Sequence, residues 1–102
     1  MVVSEMNNNI SKAKVLKQNI EEYLKNEVSF EIINSKACFN ALGGGFLRLD
    51  TMGGGTDGYV VLEFAENKRD AKNNRFWDCD SYDVNFNNKE DIIKEARSIL
   101  LE

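Results

Sequence analysis

A chain of 102 residues, 42% hydrophobic and with a net charge of -4, has room for one core and reads as a single domain over residues 1–102. It holds no histidine and no proline, which excludes the commonest general base and the commonest zinc ligand together. The acidity is uneven: residues 1–42 balance five lysines against five glutamates, whereas residues 43–102 set eight basic against twelve acidic residues. Such a surface favours basic partners and opposes nucleic acid and an anionic membrane.

No apolar run reaches the roughly 20 residues of a membrane helix, and MVVSEMNNNISK lacks both the basic flank and the apolar stretch of a signal peptide. The expectation is a soluble, cytoplasmic protein in which Cys38 and Cys79 are free, buried thiols. Residues 1–9 read as a polar, frayed start. Ile10, Ala13, Leu16, Ile20, Tyr23 and Leu24 then fall at helical spacing, which predicts an amphipathic helix over 10–26.

Val28, Phe30 and Ile32 alternate with Ser29 and Glu31 as a strand does, a turn at Asn34-Ser35-Lys36 follows, and Ala37 to Leu42 is a second short apolar run. Gly43-Gly44-Gly45 precedes the strand Phe46–Asp50, and the cluster from Gly53 to Gly58 precedes the strand Tyr59–Phe64. Each glycine cluster stands before a strand and lacks a Gly-Lys-Ser/Thr ending, so these are hairpin tips needing positive φ rather than phosphate cradles. Glu66 to Asn74 reads as an exposed loop, Arg75–Asp80 as a last strand, and Asn87 with Glu90 as the capping box of a final helix striped by Ile92, Ile93, Ala96, Ile99 and Leu100. The predicted fold class is α+β: a mostly antiparallel four- to five-stranded sheet with the N-terminal and C-terminal helices packed on one face.

Alternation predicts Val28, Phe30, Ile32, Leu47, Leu49, Val60, Leu62, Phe64, Trp77 and Cys79 on the core side. The opposite face then carries Ile33, Phe46, Tyr59, Val61 and Phe76, fringed by Glu31, Arg48, Asp50, Glu63, Asp78 and Asp80. An apolar centre with a polar rim suits an interface, unless a loop, the N-terminal segment or a second copy of the chain covers it.

Asp78, Asp80 and Asp83, with Ser81 and Tyr82 between them, form an acidic cluster whose spacing departs from a calcium loop. Neither cysteine has a histidine to activate it. No catalytic residue, metal site or cofactor is assigned, and the chain reads as a binding protein rather than an enzyme.

The order of helix, antiparallel strands and helix, ending in WDCDSYDVNFNNKEDIIKEARSILLE, resembles the bacterial immunity proteins that accompany contact-dependent or polymorphic toxins. The resemblance is one of size, acidity and element order, and no residue is carried over from it. It implies a one-to-one complex with a basic cognate toxin domain, such as a nuclease, whose phosphate-binding groove the acids would occupy. The residues expected to make that contact are Asp57, Glu63, Asp78, Asp80, Tyr82 and Asp83. The competing readings are a homodimeric adaptor, a ligand- or nucleic-acid-binding module that stacks bases on the open sheet face, and a carboxylate enzyme that needs a divalent ion.

Overall fold

Ser11 accepts a hydrogen bond from the backbone N–H of Lys14 at 3.2 Å and so caps helix α1, Lys12–Lys25. In the computed structural model, which describes residues 11–53 and 58–102, α1 buries Ala13, Ile20 and Leu24 on one stripe. Tyr23, expected on that stripe, is exposed and donates its hydroxyl to Glu27 at 2.7 Å. The frayed start read for residues 1–9, the place of Ile10 in the first helix, and Asp57 lie outside the described residues.

Five strands follow in a simple meander: β1 (Phe30–Ile33), β2 (Lys36–Asn40), β3 (Phe46–Met52), β4 (Tyr59–Ala65) and β5 (Trp77–Asp83). Every neighbouring pair is antiparallel, and the sheet order equals the chain order. β1 and β5 are therefore the two edges. The β1–β2 hairpin is closed by Asn34 and Ser35, both at positive φ (52° and 69°), as a two-residue turn with the twist of the strands requires. Gly44 and Gly45 (φ 101° and 89°) turn the β2–β3 connection, as the glycine clustering predicts.

Helix α3 (Lys89–Leu101) is capped by Asn88, whose side chain accepts from the Asp91 N–H while the Asp91 carboxylate accepts from the Asn88 N–H. The capping box thus sits one residue later than the Asn87–Glu90 pair expected from sequence. Both Asn87 and Asn88 have an acid three residues on, and only the geometry selects one. Near the other end of α3, the Leu100 carbonyl accepts from the N–H of Leu42 at 2.7 Å, which ties the glycine connection to the helix.

α1 and α3 lie on one face of the sheet. The core between them and the strands contains Phe39, Leu47, Leu49, Val60, Leu62, Ile92 and Leu100, all at 0% exposure. Four members of the expected core set, Leu47, Leu49, Val60 and Leu62, sit at its centre. Phe30 and Ile32 point to this face too, being paired with Phe39 and Ala37, but β1 is an edge strand and Ile32 remains 61% exposed.

The opposite face differs from the open patch expected. The stretch from Glu66 to Asn74 contains a short helix, α2 (Lys68–Lys72), capped by Asn67. Ala71 of α2 packs in a second small core with Ile33, Cys38, Phe46 and Ala65, joined by Phe76. Lys68 reaches Glu31 at 2.7 Å, and the Asn34 side chain donates to the Lys72 carbonyl at 3.0 Å. Ile33 and Phe46 are consequently buried, Val61 is buried at 3% exposure outside that cluster, and Tyr59 and Phe76 are half-buried, so most of the apolar centre of this face is already used by the fold.

Candidate functional site

β5 is an edge strand of exposed side chains from Trp77 to Ser81, with Tyr82 and Asp83 half-buried. Strict alternation places Asp78 and Asp80 together, but a bulge corrects this. The register runs Leu62↔Asp80 and then Glu63↔Asp78, so Cys79 is the extra residue on β5. Directly opposed residues share a face. Asp80 and Tyr82 therefore lie on the helix face with Leu62 and Val60, whereas Asp78 and Asp83 lie on the other face with Glu63 and Tyr59.

The expected acids thus straddle the edge of the sheet instead of forming one cluster. No three-ligand metal cluster exists among the described residues. Asp80 accepts from the Ser81 N–H at 2.9 Å and Asp83 from the Asn85 N–H at 2.9 Å. Among the described residues no ion pair involves Asp78, Asp80 or Asp83, so their charges face solvent without a cation.

Glu63 is placed differently. Its Oε1 accepts from Arg48 Nε at 2.9 Å across β3 and β4, which neutralises the carboxylate within the fold. Arg48 is 5% exposed, donates a second bond to Asn74 Oδ1 at 2.8 Å, and stacks 3.7 Å above the Phe76 ring. Arg48 and Phe76 are thereby committed to each other and to Glu63 and Asn74.

Around β5 the field is acidic. Partial burial raises the Tyr82 hydroxyl pKa far above its ordinary value, with the charges of Asp80 and Glu95 adding to the effect. The Cys79 thiol pKa is raised first by the partial shielding of its sulfur from water, then by Asp78, Asp80 and Glu95. Cys79 is exposed, which corrects the expectation that both thiols are buried; Cys38 is buried as expected. A thiol held protonated among carboxylates is a poor nucleophile.

Two parts of this region are not apparent from the sequence pattern. Asp91 and Glu95 of α3 bring further carboxylate charge to Tyr82, and their spacing of four residues marks them as one helix face. Trp77, expected in the core, is 48% exposed and stacks obliquely on Phe64 with centroids 5.5 Å apart. It borders a groove of about 560 Å³ between the glycine connection and the end of α3, lined by Ala41, Gly43, Gly44, Phe64, Glu66, Trp77, Cys79, Ile99 and Glu102.

No protein-family model, curated protein or solved structure matches this chain. No helix among the described residues is long and apolar enough to cross a membrane.

Proposed function

We propose that this chain is a non-catalytic, cytoplasmic binding protein whose β5 edge and adjoining α3 face dock a basic protein domain, and that it acts as an immunity protein neutralising a cognate toxin. The observation that carries the reading is the pattern of β5 itself. An exposed edge strand presents an aromatic anchor, Trp77, followed by carboxylates on both sides, with no cation paired to Asp78, Asp80 or Asp83 among the described residues. Unpaired surface acids of one sign steer a basic partner, and a half-exposed tryptophan supplies apolar contact area once water is displaced. Asp78, Asp80, Tyr82 and Asp83 carry this contact. Glu63 contributes mainly by holding Arg48, and Asp57 completes the set expected from sequence.

The test is genetic. Cells deleted for this chain are expected to be inhibited by siblings that deliver the cognate toxin, and to recover with the wild-type chain but not with Asp78, Asp80 and Asp83 all changed to asparagine. Undisturbed growth of the deleted cells beside their siblings would contradict the reading.

A second reading, self-association, is favoured by β1. Its edge exposes Phe30 and Ile32 on the helix face, with the Lys25 ammonium 5.6 Å from the Phe30 ring centroid and no carboxylate beside Ile32 on that face of the strand. A homodimer built by this protein would use β1, because like charges oppose pairing of two β5 edges. Light scattering separates the cases: a dimer that Ile32→Lys converts to monomer supports it, and a monomer at high concentration eliminates it.

A further inference from the structure

The groove beside Trp77 has a chemistry that narrows its occupant. It is lined by the Phe64–Trp77 pair, by Ile99 near the end of α3 and by Gly43 and Gly44 of the glycine connection. A Cβ on Gly44 would meet nothing within 4 Å, whereas one on Gly43 would lie 3.3 Å from the Glu102 carbonyl oxygen. The charged residues lining it are Glu66 and Glu102, with no lysine or arginine. Two other grooves on the molecule are unlike it: the one at Tyr23 and Ile93 includes Lys89, Lys94 and Arg97, and the one at Val15 and Phe86 includes Lys12 and Lys89.

Glu102 is shared with the Tyr23 groove and accepts from Ser98 Oγ at 2.8 Å, which leaves Glu66 as the acid that lines this groove alone among the three. An aromatic pair with two acids and no cation in its lining is complementary to a cation carried on an apolar stem. Arginine fits better than lysine, because a planar guanidinium stacks on an indole face, sheds water at lower cost, and can present its N–H groups to a carboxylate at the rim. The fold makes the same kind of contact internally, where the Arg48 guanidinium lies 3.7 Å above the Phe76 ring.

We infer that this groove is the receiving pocket for an arginine side chain of the basic partner, stacked on Trp77 between Glu66 and Glu102; the inference rests on the proposal that such a partner docks along β5. Trp77 is the sole tryptophan of the chain, so its emission reports occupancy of the groove directly. The probes are fluorescein-labelled hexapeptides of alternating glycine with arginine, lysine or neutral citrulline, titrated into the full chain. Peptide anisotropy reads total binding, and an unlabelled copy of each peptide is used to read Trp77 emission.

The expected result is that the arginine peptide binds and changes Trp77 emission along the same isotherm, roughly three- to tenfold tighter than the lysine peptide, with no response to citrulline. Glu66→Gln, an exposed substitution, and Trp77→Leu are each expected to weaken binding roughly three- to tenfold while circular dichroism and Tm confirm the fold. Binding by anisotropy without any change at Trp77, or equal binding by Trp77→Leu, would overturn the groove while leaving the acidic docking edge in place. Absence of binding to any of the peptides would overturn both.

Discussion

Arg48 and Glu63 face each other across β3 and β4, with Nε 2.9 Å from Oε1, and on the far side of Glu63 the next strand places Asp78 directly opposite. Arg48 therefore does two things at once. It anchors the turn at Asn74 and the ring of Phe76, and it neutralises one of two carboxylates that would otherwise oppose each other across β4 and β5.

Arg48→Met is expected to lose on the order of 2–4 kcal/mol in urea denaturation, since it leaves Glu63 unpaired beside Asp78 and removes the stack on Phe76. Glu63→Gln should cost less, about 1–2 kcal/mol, because Arg48 keeps Asn74 and Phe76. The double variant Arg48→Met/Glu63→Leu should recover much of the loss, as no unpaired charge remains. A double variant no more stable than Arg48→Met alone would show that packing, not charge, dominates.

Gly45 is held at φ 89°, and a Cβ there would come within 2.5 Å of Phe64 Cζ and 2.7 Å of the Ala65 carbonyl oxygen. Gly45→Ala should destabilise the fold by about 2–3 kcal/mol and disturb the lining of the Trp77 groove. Gly44→Ala carries the backbone strain alone, with open space around its Cβ, and should cost about 1 kcal/mol. Equal losses at the two positions would contradict the packing assigned to Gly45.

Ser35 occupies the left-handed region at φ 69°, next to Asn34 at φ 52°. Asn-Gly is the preferred pair for such a turn, so Ser35→Gly is expected to stabilise the chain by roughly 0.5–1 kcal/mol. A loss of stability would mean that the Ser35 side chain does something beyond filling the turn.

The two thiols should separate kinetically. At pH 8 one equivalent of a disulfide reagent should react with native protein, at Cys79, and the second, at Cys38, only on unfolding. Partial shielding from water and then Asp78 and Asp80 raise the Cys79 pKa, which lowers its thiolate fraction, so it should react more slowly than a free cysteine, and Asp80→Asn should speed it. A raised pKa also means that the folded state holds the proton more tightly. Stability is therefore intact below the ordinary thiol value of 9.0 and declines as pH climbs from there through the raised folded value. Rising stability across that interval would reverse the sign assigned to Cys79.

The centre of the sheet was legible because β3 and β4 bury one side against two helices, and Leu47, Leu49, Val60 and Leu62 keep strict period two. The same pattern misleads at the edges. Phe30, Ile32 and Trp77 obey the alternation, yet the helices leave them exposed, and the pattern carries no information about sheet order. The bulge at Cys79 has no glycine or other marker in WDCDSYD, so the split of Asp78 from Asp80 could not be read. Nor could α2, since a five-residue helix with one buried alanine shows no periodicity. Arg48 was placed on the correct face, but its pairing with Glu63 depends on a register that only the fold supplies.

The most direct measurement is recovery of a tagged chain from its native cell at moderate salt, with mass spectrometry of what co-purifies, for wild type and for Asp78→Asn/Asp80→Asn/Asp83→Asn. A basic protein domain should be held one-to-one by wild type and lost by the folded triple variant. Recovery of the bait alone, or the same domain held undiminished by the triple variant, would contradict it.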